Sequence, residues 1–185
     1  MFSLILSDLR AKALWFYQDA SPRGLLKALL TDGTPAMLVY RVMQWSRKHR
    51  VVPLELLCNK IIVVLCGCVI GRGAEFGPGF VLIHSSGIVI NGRVRGGSHV
   101  YLEHQVTLGA ERDESPRLGD HVYVGAGAKV LASLGSHCRI GANAVVVHAV
   151  PDYATAVGVP ARVVRLGPDN AAFQAEDPGP DPHAE

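Results

Sequence analysis

From residue 69 onward, apolar side chains return at every sixth position. Ile70, Phe76, Leu82, Ile88, Val94, Val100 and Val106 share one register, and Leu118, Val124 and Val130 continue it. Arg112 breaks the register inside the polar stretch 110–115. Leu134, Ile140 and Val146 follow with an offset. Gly often comes next (Gly71, Gly77, Gly119, Gly125, Gly135, Gly141), and small residues such as Ala74, Ser86, Ala128 and Ala144 sit four positions on. Helical faces repeat every 3.6 residues and strands every two. A period of six fits neither. It predicts a parallel β-helix in which three hexapeptides make one triangular coil and stacked coils bury a continuous core. A β-sandwich would alternate over variable lengths instead. The break at 110–115 predicts a loop leaving the coil at a binding surface, with a tolerated surface insertion as the alternative.

The preceding segment reads as helical. Leu38, Val42 and Trp45 fall at helical spacing, and Pro35 suits a first helical turn. The basic cluster Arg47, Lys48 and Arg50 then complements that helix's C-terminal dipole. Ser3–Tyr17 predicts an earlier helix, and Pro53 opens a further helical or strand-like run. The end of the chain, rich in Pro, Asp, Glu and Ala, buries little apolar surface and is expected to be disordered. The expected division is therefore 1–66 helical, 67–167 β-helix and 168–185 tail.

Composition narrows the function. A net charge of +2 gives no broad electrostatic case for nucleic acid. None of the four cysteines forms a CxxC pair, so buried free thiols in a reducing cytoplasm are expected, and no metal site. Asp8, Arg10 and Lys12 interrupt the early apolar residues, against a signal peptide. The apolar run 61–70 is far shorter than a membrane span, so a buried element is expected there. Its apolarity still leaves contact with membrane-bound intermediates open.

Within this frame, HSSGIVI (84–90), VTLG (106–109), VYVGAGAKVL (122–131), IGANAVV (140–146) and VGVPARVV (157–164) resemble the serine acetyltransferase family. DLRA (8–11), Gln18–Asp19 and AMLVYRVMQW (36–45) are similar to its helical lead-in. Colanic-acid-type sugar O-acetyltransferases share the layout. The resemblance implies a left-handed β-helix with an N-terminal helical segment. It also implies a homotrimer with acetyl-CoA in a groove between subunits, and His84 as general base. A hydroxyl is a poor nucleophile until its proton is removed, and an imidazole with an ordinary pKa of roughly 6.5 suits that task near neutrality. No cysteine sits in these motifs, so an acyl-cysteine route is unsupported. For the cofactor the resemblance points to Thr107, to backbone groups at Gly125, Ala126 and Ala142 along a small-residue wall, and to Lys129, Arg162 and Arg165 for the phosphates.

The departures bear on the acceptor. Where the family places an aspartate before the histidine, this chain has Ile83; where a second aspartate pairs with it, Val69. Glu114–Ser115 replaces an arginine–histidine pair before Pro116. Asp19 is a candidate upstream acceptor-binding carboxylate, and Glu103, His104 and Ser115 are further acceptor-binding candidates. Glu75, Glu103 or Asp113 are the carboxylates expected to replace the lost partner of His84. These losses favour a sugar hydroxyl in exopolysaccharide or capsule assembly as acceptor. The alternatives are L-serine, and a catalytically weak β-helix that scaffolds a partner enzyme.

Overall fold

The computed structural model describes residues 1–110 and 115–167. Asp113, Glu114, the register break at Arg112 and the tail expected to be disordered lie outside the described residues.

Four helices come first: α1 (Phe2–Tyr17), α2 (Pro22–Leu29), α3 (Thr34–Lys48) and α4 (Val52–Leu65). Pro occupies the first turn of α2, α3 and α4, where its missing N–H costs nothing. The apolar run at 61–70 divides, its first half ending α4 and Val69–Ile70 opening the sheet. No helix among the described residues is long and apolar enough to cross a membrane.

The remainder is a parallel β-helix. Its first face stacks Val69–Ile70, Val89–Ile90, Thr107–Leu108, Lys129–Val130 and Val145–Val146. The second stacks Glu75–Phe76, Arg95–Gly96 and Arg117–Leu118, continued by single bridges from Leu118 to Leu134 and Leu134 to Val150. The third stacks Val81–Leu82, Val100–Leu102, Val122–Val124, Arg139–Ile140 and Ala154–Val157, closed by the antiparallel Arg162–Leu166. The keyed aliphatic residues point inward and form one continuous core with α3 and α4.

The register corrects one expectation. Ile70 pairs with Ile90, twenty residues on, whereas three hexapeptides make eighteen. The chain gains two residues at the corner 83–88 and then resumes, since Ile90 pairs with Leu108. Ile88, Val94, Val100 and Val106 therefore do not continue the row of Leu82. They fill the inner position two residues before Ile90, Gly96, Leu102 and Leu108, which is also buried. Both positions are apolar, so the six-residue clock runs on through the shift. Later coils shorten: Leu118 pairs with Leu134 and Val124 with Ile140, sixteen residues apart.

The helices cap the first coil through a buried ion pair. Arg41 Nε donates to Asp8 at 2.6 Å, with both side chains almost fully buried. Its other nitrogens donate to Asp8 and to the Phe76 and Gly77 carbonyls. Asp8 also accepts from the Phe80 N–H, and Tyr40 Oη joins Ala74 to Phe76. Burial still raises the Asp8 pKa above its ordinary value, against the pull of Arg41. Substituting Arg41→Leu strands a buried carboxylate and two carbonyls. A loss of about 3–5 kcal/mol is expected, read as a lowered denaturant midpoint.

A different corner carries His99, His121, His137 and Tyr153, all at positive φ. Their rings stack with centroids 4.8, 4.9 and 4.7 Å apart. Burial and then the charges of His99 and His137 lower the His121 pKa, with Asp120 opposing. A base whose folded pKa is depressed leaves stability intact above its ordinary pKa near 6.5 and erodes it as pH falls below that point. Melting temperature should drop on acidification through pH 6.5, and His121→Gln should flatten that slope. An unchanged slope would contradict the stack's role.

Candidate functional site

His84 stands two residues beyond Leu82, at the corner where the chain turns from the third face to the first. Leu82, Leu102, Val124 and Ile140 pair in sequence across the third face. The residues two further on therefore make one column: His84, His104, Ala126 and Ala142. The column starts with two imidazoles, whose ring centres lie 6.0 Å apart, and ends in two methyl groups.

A carboxylate reaches this corner from the helical segment. Asp32 lies between α2 and α3, and its Oδ2 is 3.3 Å from His84 Nδ1. Its Oδ1 accepts from the Gly33 N–H at 2.7 Å and from Ser85 Oγ at 3.4 Å. This arrangement corrects the expected replacements for the missing partner. Glu75 pairs instead with Arg95 at 3.5 Å, on another face. Glu103 faces Tyr123 Oη and His104 Nδ1, at 3.5 and 3.6 Å. The imidazole of His84 is 46% exposed, and its other nitrogen, Nε2, has no hydrogen-bond partner among the described residues.

The two departures at the motif have different surroundings. Ile83 is buried against Ala11 and Val81 beneath α1. A carboxylate there would be desolvated among apolar side chains, which is costly unless it is paired. Val69 faces outward in the first face beside Val89. The end of α1 lies over the third face, where Trp15 stacks on Tyr101 and Tyr123 at 4.9 and 5.6 Å. Phe16 approaches His84 edge-on at 6.3 Å. A cleft of about 310 Å³ lies beside Asp32, lined by Pro35, Ala36, Cys66, Gly67, Ser85 and Ser86.

Other expected site residues are placed as follows. Asp19 accepts from Ser21 N and Oγ at 2.8 and 2.9 Å, and these bonds hold its carboxyl below the ordinary range. Its carboxylate thereby shapes the turn into α2. Ser115 Oγ donates to Asn91 Oδ1 at 3.4 Å. Thr107 and Lys129 are neighbours in the outward row of the first face, and Lys129 Nζ donates to the Gln105 carbonyl at 2.8 Å. Arg162 and Arg165 are exposed on the final antiparallel strand. The Gly125 N–H donates to Ile140 O and its carbonyl accepts from the Ala128 N–H, which leaves the carbonyl's second lone pair for a cofactor. Gly125 matters for spacing, because a Cβ there would lie 2.7 Å from Ala142 N. Among the described residues the Ala126 and Ala142 N–H groups make no hydrogen bond, which leaves them available to an amide-rich ligand arm.

Sequence reasoning missed Asp32. One local signal was present: Asp-Gly before Thr-Pro marks a tight turn into a helix. Nothing local says that the turn lands on residue 84. Gly33, at φ +77°, makes the landing possible, because a Cβ there would sit 2.5 Å from the Leu82 carbonyl. Gly33→Ala is expected to cost at least about 1–2 kcal/mol for the left-handed backbone alone, measured by thermal melting. A variant as stable as wild type would show that the loop does not rest on the coil.

No family model matches the chain. Individual proteins do. The serine acetyltransferase of Synechococcus elongatus is 35% identical over 171 residues, covering 89% of this chain and 69% of that protein. That of Helicobacter pylori strain J99 is 37% identical over 154 residues, covering 80% of this chain and 90% of the relative. Among solved structures, the Neisseria gonorrhoeae serine acetyltransferase superposes with a TM-score of 0.77 at 29% identity, over 90% of this chain and 69% of that one. A serine acetyltransferase in complex with CoA gives 0.74 at 31% identity, over 86% and 68%. A soybean serine acetyltransferase complexed with serine gives 0.76 at 31% identity, over 88% and 68%.

Proposed function

Because the chain belongs to the serine acetyltransferase family and is an acetyl-CoA-dependent acyltransferase, we propose that it transfers the acetyl group to the hydroxyl of L-serine, with His84 as the base. The observation that carries this reading is Asp32 at 3.3 Å from His84 Nδ1. The family's carboxylates and its arginine–histidine pair are both missing here, and these were the grounds for expecting a sugar acceptor. A carboxylate delivered from the helical segment answers the first of these, because it gives His84 a partner. The relatives favour serine.

The steps follow from the corner's geometry. Asp32 accepts the Nδ1–H of His84, which fixes the tautomer that leaves Nε2 unprotonated. Nε2 takes the serine hydroxyl proton as the oxygen attacks the thioester carbonyl. The new C–O bond forms, the C–S bond breaks, and CoA departs as its thiol after receiving that proton back from the imidazolium. Asp32 stabilises the transient imidazolium. The open N–H groups of Ala126 and Ala142 hold the pantetheine amides, and Thr107, on the first face beside Lys129, is a further cofactor-binding candidate. Lys129, Arg162 and Arg165 supply positive charge for the phosphates. One subunit presents only one wall of this groove, so a homotrimer completes it.

The test is thiol release from acetyl-CoA with L-serine. His84→Ala should lower kcat by about 10²–10⁴-fold, the usual span for a positioned base, with KM for acetyl-CoA little changed. Turnover with another hydroxyl acceptor but none with serine would reject the acceptor. An undiminished His84→Ala enzyme would reject the base.

A further inference from the structure

Lys12 is a lysine with no exposed surface, on the inner side of α1, and the mechanism above does not use it. Its Nζ donates to the Leu82 carbonyl at 2.8 Å and to the Asp32 carbonyl. These two carbonyls belong to separate parts of the fold. Leu82 precedes the His84 corner by two residues, and Asp32 is the residue whose side chain faces His84. The ammonium thus joins the α2–α3 loop to the coil beside the candidate base. The Phe16 ring, 5.7 Å from Nζ, closes another side. A Cβ on Gly33 would come within 3.1 Å of Nζ, so the loop lies directly on it.

Burying a lysine is expensive unless its donors are used. Burial pushes the Lys12 pKa down to about 7, while Asp32 opposes that shift. An apolar residue of the same length would avoid the cost if the position served packing alone. Two carbonyl contacts bridging the loop to the coil give the amine a positional task instead.

We propose that Lys12 is a positioning residue, which clamps the α2–α3 loop onto the coil so that the Asp32 carboxylate meets His84 Nδ1. This rests on His84 as the base, but not on serine as the acceptor. Without the clamp, Asp32 still belongs to the chain but no longer fixes the ring. His84 then divides between its two neutral tautomers, and only one of them has Nε2 free to take a proton. The effect falls on kcat and not on acetyl-CoA binding, because no CoA-binding candidate touches Lys12.

The experiment uses the full-length chain labelled with ¹⁵N-histidine, and variants Lys12→Met and Lys12→Gln. The ring nitrogen shifts of His84 report its tautomer with no acceptor present. Wild type is expected to hold the Nδ1–H form, and the variants a mixture. In the turnover assay kcat should fall by up to about a hundredfold, the scale of a small misplacement, with KM for acetyl-CoA unchanged. If the Met variant does not fold, the Gln variant, which keeps a neutral NH2 donor group on a shorter side chain, decides the question. A folded variant with the wild-type tautomer and kcat overturns the proposal. A fall in kcat with an unmoved tautomer overturns it too, since the loss would then not run through His84. Failure of serine as acceptor would leave the tautomer reading intact, so the two claims fail separately.

Discussion

Everything at the functional corner depends on the strict pairing of one coil with the next. Once Leu82, Leu102, Val124 and Ile140 are held in register by parallel backbone bonds, the residues two positions on must form a column. That constraint places two imidazoles and two alanines on one edge of the prism. It also gives the helical segment a fixed surface to rest on. The Asp8–Arg41 pair and Lys12 tie that segment to the first coil at two points. The outcome is a histidine on a rigid edge, facing a carboxylate from a distant part of the chain. Its other nitrogen has no hydrogen-bond partner among the described residues.

The extra residues at corner 83–88 belong to the same logic. Three hexapeptides would close that coil in eighteen residues, yet Ile70 meets Ile90. The widened turn carries His84 and Ser85, both of which face Asp32. The corner that departs from the repeat is thus the corner that contacts the helical segment. Solenoids commonly put function at such departures, because a regular coil has no room for a new contact.

Much of this was legible in the sequence. The six-residue spacing pointed to the β-helix because each inward position demands an aliphatic side chain, whatever its neighbours do. The two-residue shift was hidden because Ile88 and Ile90 are both buried, so the apolar clock survives a change of row. The helix carrying Leu38, Val42 and Trp45 was legible from its period, whereas α2 is short and was not foreseen. His84 was found through its motif. Asp32 was not, because its role comes from a contact across fifty-two residues. Sequence reading sought the partner at the family's positions, and the helical segment supplies it from elsewhere. Gly125, a motif glycine expected to bind the cofactor, also serves the coil stack through both of its backbone groups.

The central claim is that Asp32 and His84 act as one unit, and a double-mutant cycle on turnover measures that directly. Asp32→Ala, His84→Ala and the double variant are compared with the parent under saturating acetyl-CoA. If the carboxylate works only through the imidazole, removing Asp32 from the His84→Ala protein costs nothing further. If Asp32→Ala slows the His84→Ala protein by the same factor as the parent, the two side chains act independently and the account is wrong.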